Sequence, residues 1–407
     1  MTAMPFRFAT GMSTEKDAVR AADEAAGKAA GSLGGSRSDL AFLFVSPLHA
    51  PSIGEIGARV REHLRPATLL GCAANGVIAD EREIEQGPAV AVWAAAMPGA
   101  AVQGFAARVR VEGEEARVDG FPEFVPGPEG SPSVLLVVDP FSFPADAFLR
   151  ALAERRPDLP VLGGMASGAN APGETRLLLD EEVLEEGAVG ALFAGPVEMR
   201  AVVSQGCRPI GRALVVTKGE GNVVQELGGK PALEQLEEVL ASLDERDRVL
   251  ARRALHVGLV IDEYRSTFER GDFLVRNLLG ADPRSGALVV GDRVRRGQTI
   301  QFHVRDAETA DEDLRALLER EVKRRGGSAP AGALLFTCNG RGTNLFPGPD
   351  HDASAVRGIA GAVPLAGFFA AGEIGPIGAR NFLHGYTASL ALFYEGARPG
   401  HRGTPGL

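Results

Sequence analysis

The chain has 407 residues, of which 45% are hydrophobic and 24% charged, and it carries a net charge of −10. That is enough apolar content for sizeable cores, and the acidity argues against a nucleic-acid scaffold, which needs a basic face. No uncharged apolar run reaches the roughly 18 residues of a membrane-spanning helix. The N-terminal MTAMPFRFATGMSTEKD lacks an apolar signal region, so no secretory leader is expected. The cysteines Cys72, Cys207 and Cys338 are odd in number and far apart, which suits neither a disulfide framework nor paired metal ligands. A reduced, cytoplasmic location is therefore expected.

In chain order, Phe6 to Thr10 reads as a strand. Thr14 to Asp17 reads as a capping-box start for an alanine-rich helix that ends near Ala30. Leu40 to Ser46 (LAFLFVS) is a short, continuous apolar run of the kind that forms a buried strand. A helix opens at Ser52 with Glu55 at the reciprocal capping position, and leads to Leu69 to Gly76 (LLGCAANG) and a further strand, Val90 to Ala96. Residues 112–132, rich in proline and acid, read as a surface connection. Val134 to Pro140 is the next apolar run. A helix striped by Phe148, Ala151 and Leu152 follows it, then Leu162 to Gly168 (LGGMASG) and Val189 to Ala194. Asp180 to Glu186 reads as a charged hairpin edge.

Arg212 to Leu227 suggests a hairpin turning at Gly219 and Gly221, and Pro231 starts a helix through Leu233, Leu236 and Leu240. Thr309 with Glu312 caps a helix through Leu314, Leu317 and Leu318. The apolar run Gly332 to Phe336 then breaks into Thr337, Cys338, Asn339, Gly340, Arg341 and Gly342. Asp352 is placed to cap a short helix ending at Gly361. Val363 to Ala366, the turn Gly367 to Pro376 and a strand from Leu383 to Tyr394 close the ordered chain, and 397–407 reads as a disordered tail.

One pattern recurs. Apolar strand, polar loop, helix, strand, glycine turn and strand follow one another three times, and each turn carries glycines five positions apart: Gly71 and Gly76, Gly163 and Gly168, Gly367 and Gly372. With 52 glycines in the chain, one such pair means little; three in the same context argue for a repeated unit. A diverged fourth copy is expected over His256 to Asp262, Leu278 to Gly286 and Gln298 to Val304. The fold expected is α/β, with repeated β-α-β-β units forming mixed sheets covered by helices. Two packed lobes, residues 1–204 and 205–396, meet near residue 205.

The segments LLGCAANGVI, PVLGGMASG, FLVRNLLG, TCNGRG, PLAGFFAAGEIGP and LHGYTASLALF resemble the FIST (F-box and intracellular signal transduction) family, across both its N-terminal and C-terminal regions. The resemblance implies a sensory module that binds a small ligand and signals through a separate protein, since no output domain is visible. It also brings the alternative of a haem-based gas (nitric oxide) sensor, because some members are reported to hold haem. The F-box members suggest an interaction adaptor, but no F-box is present.

The residues themselves point to the third strand-end loop. In open α/β sheets ligands settle beyond the carboxyl ends of strands, and of the loops at Ser46, Asp139 and Cys338 only the last joins a thiol, an amide and a fixed cation. Cys338, Asn339, Arg341, Glu373 and His384 are the expected ligand-binding residues. Arg341 and Glu373 would hold the carboxylate and ammonium of an amino-acid-like ligand, or else bridge to each other. Asn75 and Ser167, each just before the second glycine of its pair, are read as local turn formers. No Walker loop, H-E-x-x-H or G-x-S-x-G motif occurs and the histidines do not cluster, so a non-catalytic protein with no metal and no resident cofactor is expected. The competing reading is an enzyme using Cys338 as nucleophile with a histidine base.

Overall fold

The computed structural model describes residues 5–112, 115–122 and 132–396. The expected tail, 397–407, lies outside the described residues, as does much of the 112–132 connection. The described part of that connection includes a strand, Glu115–Asp119, paired with Ala101–Glu112.

The protein is mixed α/β, with helices against its sheets, and the chain forms two compact bodies. One comprises the described residues up to Val203, Leu314–Leu383 and the described residues from Thr387; the other comprises Ser204–Asp313 with His384–Tyr386. The chain changes body at 203/204, and again at 313/314 when it returns to the first.

The first body contains three modules of like topology. Module one has the opening strand Leu40–Val45, helix Ile53–Leu64, second strand Thr68–Ala73, hairpin Val77–Ala79 with Arg82–Ile84, and closing strand Val90–Ala96. Module two runs Ser133–Val138, helix Ala145–Arg155, Val161–Met165, hairpin Leu177–Leu179 with Glu182–Leu184, then Ala188–Ala194. Module three runs Gly332–Cys338, helix His351–Ala360, Leu365–Ala370, hairpin Glu373–Ile377 with Arg380–His384, then Thr387–Glu395. In each, the opening strand lies between the second strand, parallel to it, and the closing strand, antiparallel to it.

The hairpins are exchanged in a cycle. That of module one extends the sheet of module three (Ile78 opposite Gly367), that of module two extends module one (Leu178 opposite Gly71), and that of module three extends module two (Ile374 opposite Gly163). The first glycine of each pair therefore occupies one equivalent place. A Cβ on Gly71, Gly163 or Gly367 would lie 2.5, 1.8 and 1.8 Å from the carbonyl oxygens of Leu43, Leu136 and Leu335 in the neighbouring parallel strand. Ser167 also ties the modules together: its Oγ accepts from Asn75 N at 2.9 Å and donates to Phe369 O. It is a link across modules, where the sequence suggested a local turn.

Alternation explains the burial. Leu40, Phe42 and Phe44 face a core shared with Leu135, Val137, Phe336, Phe368 and Phe393, while Ala41, Leu43 and Val45 face helices. Strands covered on both sides read as unbroken apolar runs, as these do. Trp93 sits in the shared core, fully buried, with its indole N–H donating to Pro364 O at 3.2 Å.

The second body corrects one expectation. Over the proposed fourth copy, Leu255–Val260 pairs antiparallel with both Phe273–Asp282 and Thr299–Arg305, and no helix lies between the first two strands. The antiparallel order Cys207–Glu220, Thr299–Arg305, Leu255–Val260, Phe273–Asp282, Ala287–Val290, Val223–Leu227 returns to Cys207–Glu220, so the sheet closes on itself. A hairpin connection replaces the crossover that a parallel pair requires. Inside it His256 and His303 are register partners, both pushed down to about 4 by burial, and the His256 ring lies 4.2 Å from that of Tyr386.

Candidate functional site

The opening strand of module three delivers Thr337 and Cys338 to its carboxyl end. The chain then turns tightly, with Arg341 N donating to Cys338 O at 2.7 Å, into the short 3-10 helix Gly342–Asn344. Gly342 has φ +55, and a Cβ there would sit 2.6 Å from the Glu85 carboxylate. Only glycine suits that place, because Glu85, at the end of module one's hairpin, must reach Thr343, whose N and Oγ1 donate to it at 2.9 and 2.8 Å.

The turn drives Arg341 inward until its side chain is fully buried. Its Nε and Nη2 donate to Asp352 Oδ2 and Oδ1, both at 2.7 Å, and Thr337 Oγ1 donates to Oδ2 at 2.6 Å. The guanidinium also lies 5.1 Å from the centre of the Phe346 ring, which stacks on His351. Burial alone would discourage ionisation of Asp352, but the Arg341 charge and hydrogen bonds hold its carboxyl well below the usual range. Two sequence expectations change here. Asp352 is not the helix cap, which falls at Asp350; two residues further on, it turns toward the core. The Arg341 fork is committed to Asp352 and not to Glu373, so the two-point charge clamp expected for an amino acid is not how Arg341 is used.

Glu373 opens the hairpin of module three and is fully buried. Its Oε2 accepts from Thr387 N and Oγ1 at 3.0 and 2.8 Å. Burial pushes the carboxyl up to about 8, although the Thr387 bonds, a hydrogen bond with Cys338 and the Arg341 charge each pull it down. Cys338, Arg341 and Glu373 thus come together. Asn339 joins them through its backbone, with N donating to Ala370 O at 2.9 Å. His384 is buried and belongs to the second body.

One member was not legible in the sequence. Glu83, from the hairpin of module one, accepts from Ala353 N at 2.8 Å at the start of helix His351–Ala360. Burial and the nearby Asp352 charge push it up to about 8. Four buried side-chain atoms of this cluster have no partner within the protein: Glu83 Oε2, Asn339 Oδ1, Arg341 Nη1 and Glu373 Oε1. The corresponding loops of the other modules satisfy themselves. Ser46 Oγ accepts from Ala89 N, and Asp139 accepts from Ser142 and Thr175.

The raised carboxyls fix a pH dependence. A carboxyl whose folded pKa exceeds its unfolded value contributes stability that is full below the unfolded pKa and lost as pH rises through the folded one. Glu83 and Glu373 go from 4.5 to about 8, so their contribution falls across that interval. Asp352 acts oppositely, losing its contribution as pH falls below the ordinary carboxylate range. The second body's histidines lose theirs as pH drops below 6.5. The range above 6.5 therefore isolates the two glutamates. Urea midpoints are expected to fall between about pH 6.5 and 8.5, and to fall less in Glu373→Gln; equal slopes would contradict the burial of an ionisable Glu373.

Three mixed-sheet modules with exchanged hairpins, and a cluster of buried polar groups at the strand ends of the third, define the α/β fold of the first body. Residues 39–230 match the FIST N domain and residues 232–376 the FIST C domain, and the chain belongs to this family, whose domains serve sensing in signal transduction. It is 44% identical over 389 residues to the uncharacterized protein Rv0628c of Mycobacterium tuberculosis, covering 96% of this chain and 100% of the relative. It is 44% identical over 391 residues to the uncharacterized protein Mb0898c of Mycobacterium bovis, covering 96% and 99%. Among the described residues no helix is long and apolar enough to cross a membrane.

Proposed function

We propose that the protein is a non-catalytic sensor that binds a compact polar small molecule at the strand ends of module three and signals to a separate protein partner in the cytoplasm. The observation that carries this reading is the group of four buried polar atoms without protein partners, on Glu83, Asn339, Arg341 and Glu373. Leaving one such atom unpaired costs about 1–3 kcal/mol, so a partner that enters the cluster gains directly from pairing them. Below about pH 8 Glu373 is mainly protonated and offers a donor as well as an acceptor. With Arg341 Nη1 as a donor and Asn339 Oδ1 as an acceptor, the site suits a ligand with alternating polar groups. An amino acid meets it through hydrogen bonds to these atoms and not through an ion-pair clamp.

The haem alternative requires an imidazole with an open nitrogen. His256 in the second body has both ring nitrogens unpartnered; a stoichiometric Soret band on adding haem, lost in His256→Ala, would replace the present reading.

The test is thermal denaturation against a panel of small polar metabolites, amino acids included. A ligand at about a hundred times its Kd raises stability by about 2.7 kcal/mol. The reading expects at least one such compound, with the gain lost in Asn339→Ala; a gain untouched by Asn339→Ala and Glu373→Gln would move the site elsewhere.

A further inference from the structure

We propose that Cys338 is a peroxide-reactive thiol, and that Glu373 and Arg341 form the machinery for its reversible oxidation to a sulfenic acid. The inference rests on the same cluster as the ligand site. Cys338 is partly exposed, whereas Cys72 and Cys207 are 0% and 1% exposed. Its thiol shares a hydrogen bond with Glu373, and its carbonyl accepts from Arg341 N at 2.7 Å in the same tight turn. Glu373 Oε1 and Arg341 Nη1 are fully buried atoms with no protein partner, one able to exchange a proton and the other a fixed donor. A sulfur flanked by a proton carrier and a cation is arranged for nucleophilic attack, since the thiolate is the reactive form and adjacent positive charge favours it.

The step balances as follows. In the molecules whose Glu373 is ionised, a share that grows as pH rises toward 8, its carboxylate takes the Cys338 proton, and the sulfur attacks one oxygen of a hydroperoxide. An S–O bond forms as the O–O bond breaks, and Glu373 returns its proton to the leaving oxygen, which departs as water when the oxidant is hydrogen peroxide. Sulfur is oxidised by two electrons and the peroxide is reduced by two. Arg341 Nη1 offers a hydrogen bond to the negative charge that passes from sulfur to the leaving oxygen. A cellular thiol would reverse the change through a mixed disulfide.

The experiment treats the full-length protein with hydrogen peroxide, traps sulfenic acid with dimedone, and locates it by peptide mass spectrometry. The expected result is labelling at Cys338 well ahead of Cys72 and Cys207, and faster than in an unstructured peptide holding the same TCNGRG segment. Removing the proton carrier in Glu373→Gln should slow it at least about tenfold, the low end for acid–base assistance being about a hundredfold. Labelling of Cys338 no faster than the peptide overturns the proposal without reference to any variant. Equal rates in wild type and a folded Glu373→Gln overturn the role of Glu373. Labelling of Cys338 ahead of the peptide in a protein that no compound stabilises would leave this inference standing while the ligand reading fails. Stabilisation retained by a protein whose Cys338 does not label would sink this inference alone.

Discussion

Substituting Asp352 by Asn is expected to destabilise the first body by about 3–5 kcal/mol, the cost of stranding one charge of a buried pair. Asp352 and Arg341 are 1% and 0% exposed, so neither water nor salt can take over the lost charge. Asparagine keeps the shape and can still accept from Arg341 or Thr337, but it leaves the guanidinium positive in a site without its counter-charge. The melting temperature should drop by on the order of 10 °C for a body of this size. Arg357 offers an internal comparison on the same helix. It pairs with Glu81 at 3.1 Å, but the two side chains are 49% and 58% exposed. Removing that bridge should change stability by less than about 1 kcal/mol. Thermal unfolding of Asp352→Asn beside Arg357→Ala decides the matter; similar small losses would mean that the Arg341–Asp352 pair is not buried as described.

A second large effect is expected at Gly367. Replacement by Ala puts a methyl carbon 1.8 Å from Leu335 O, a backbone atom held in a parallel pair at the centre of a sheet. The strands must separate or shift register, and since Gly367 also pairs with Ile78, the exchanged hairpin of module one must move with them. Overpacking of this kind costs typically about 1–3 kcal/mol, and more where the clash is with backbone. A loss above about 3 kcal/mol is therefore expected, enough to impair accumulation of folded protein in cells. Gly358→Ala serves as the contrast. It is exposed in helix His351–Ala360 with nothing within 4 Å of an added Cβ, and should stabilise by about 0.5–1 kcal/mol. If Gly367→Ala also proves neutral, the close approach of these strands is wrong.

The glycine pairs were legible in the sequence because backbone contact leaves a mark that few residues can make. Gly71, Gly163 and Gly367 share one spacing because they share one steric demand. The apolar strands were legible for a similar reason, since burial on both faces writes a continuous run. The hairpin exchange was not. Each hairpin reads the same whether it folds onto its own sheet or its neighbour's, as the alternation of REI or EVL fixes which face is buried but not by what. That ambiguity hid Glu83, whose place in the cluster comes wholly from the exchange. It also hid Asp352, because an aspartate at a helix start usually caps, and a shift of two residues along the helix converts a cap into a core ligand for Arg341. The fourth copy misled because apolar runs of similar length suit an antiparallel barrel as well as a mixed sheet; the missing helix between Val260 and Phe273 was the signal that separated them.

The central claim is that the polar cluster at the strand ends of module three is where a small molecule binds. Native mass spectrometry of the freshly purified protein tests it most directly, with Asn339→Ala measured alongside. The account predicts a discrete small-molecule mass excess on the wild type that is absent from the variant. The same mass excess on both would contradict it.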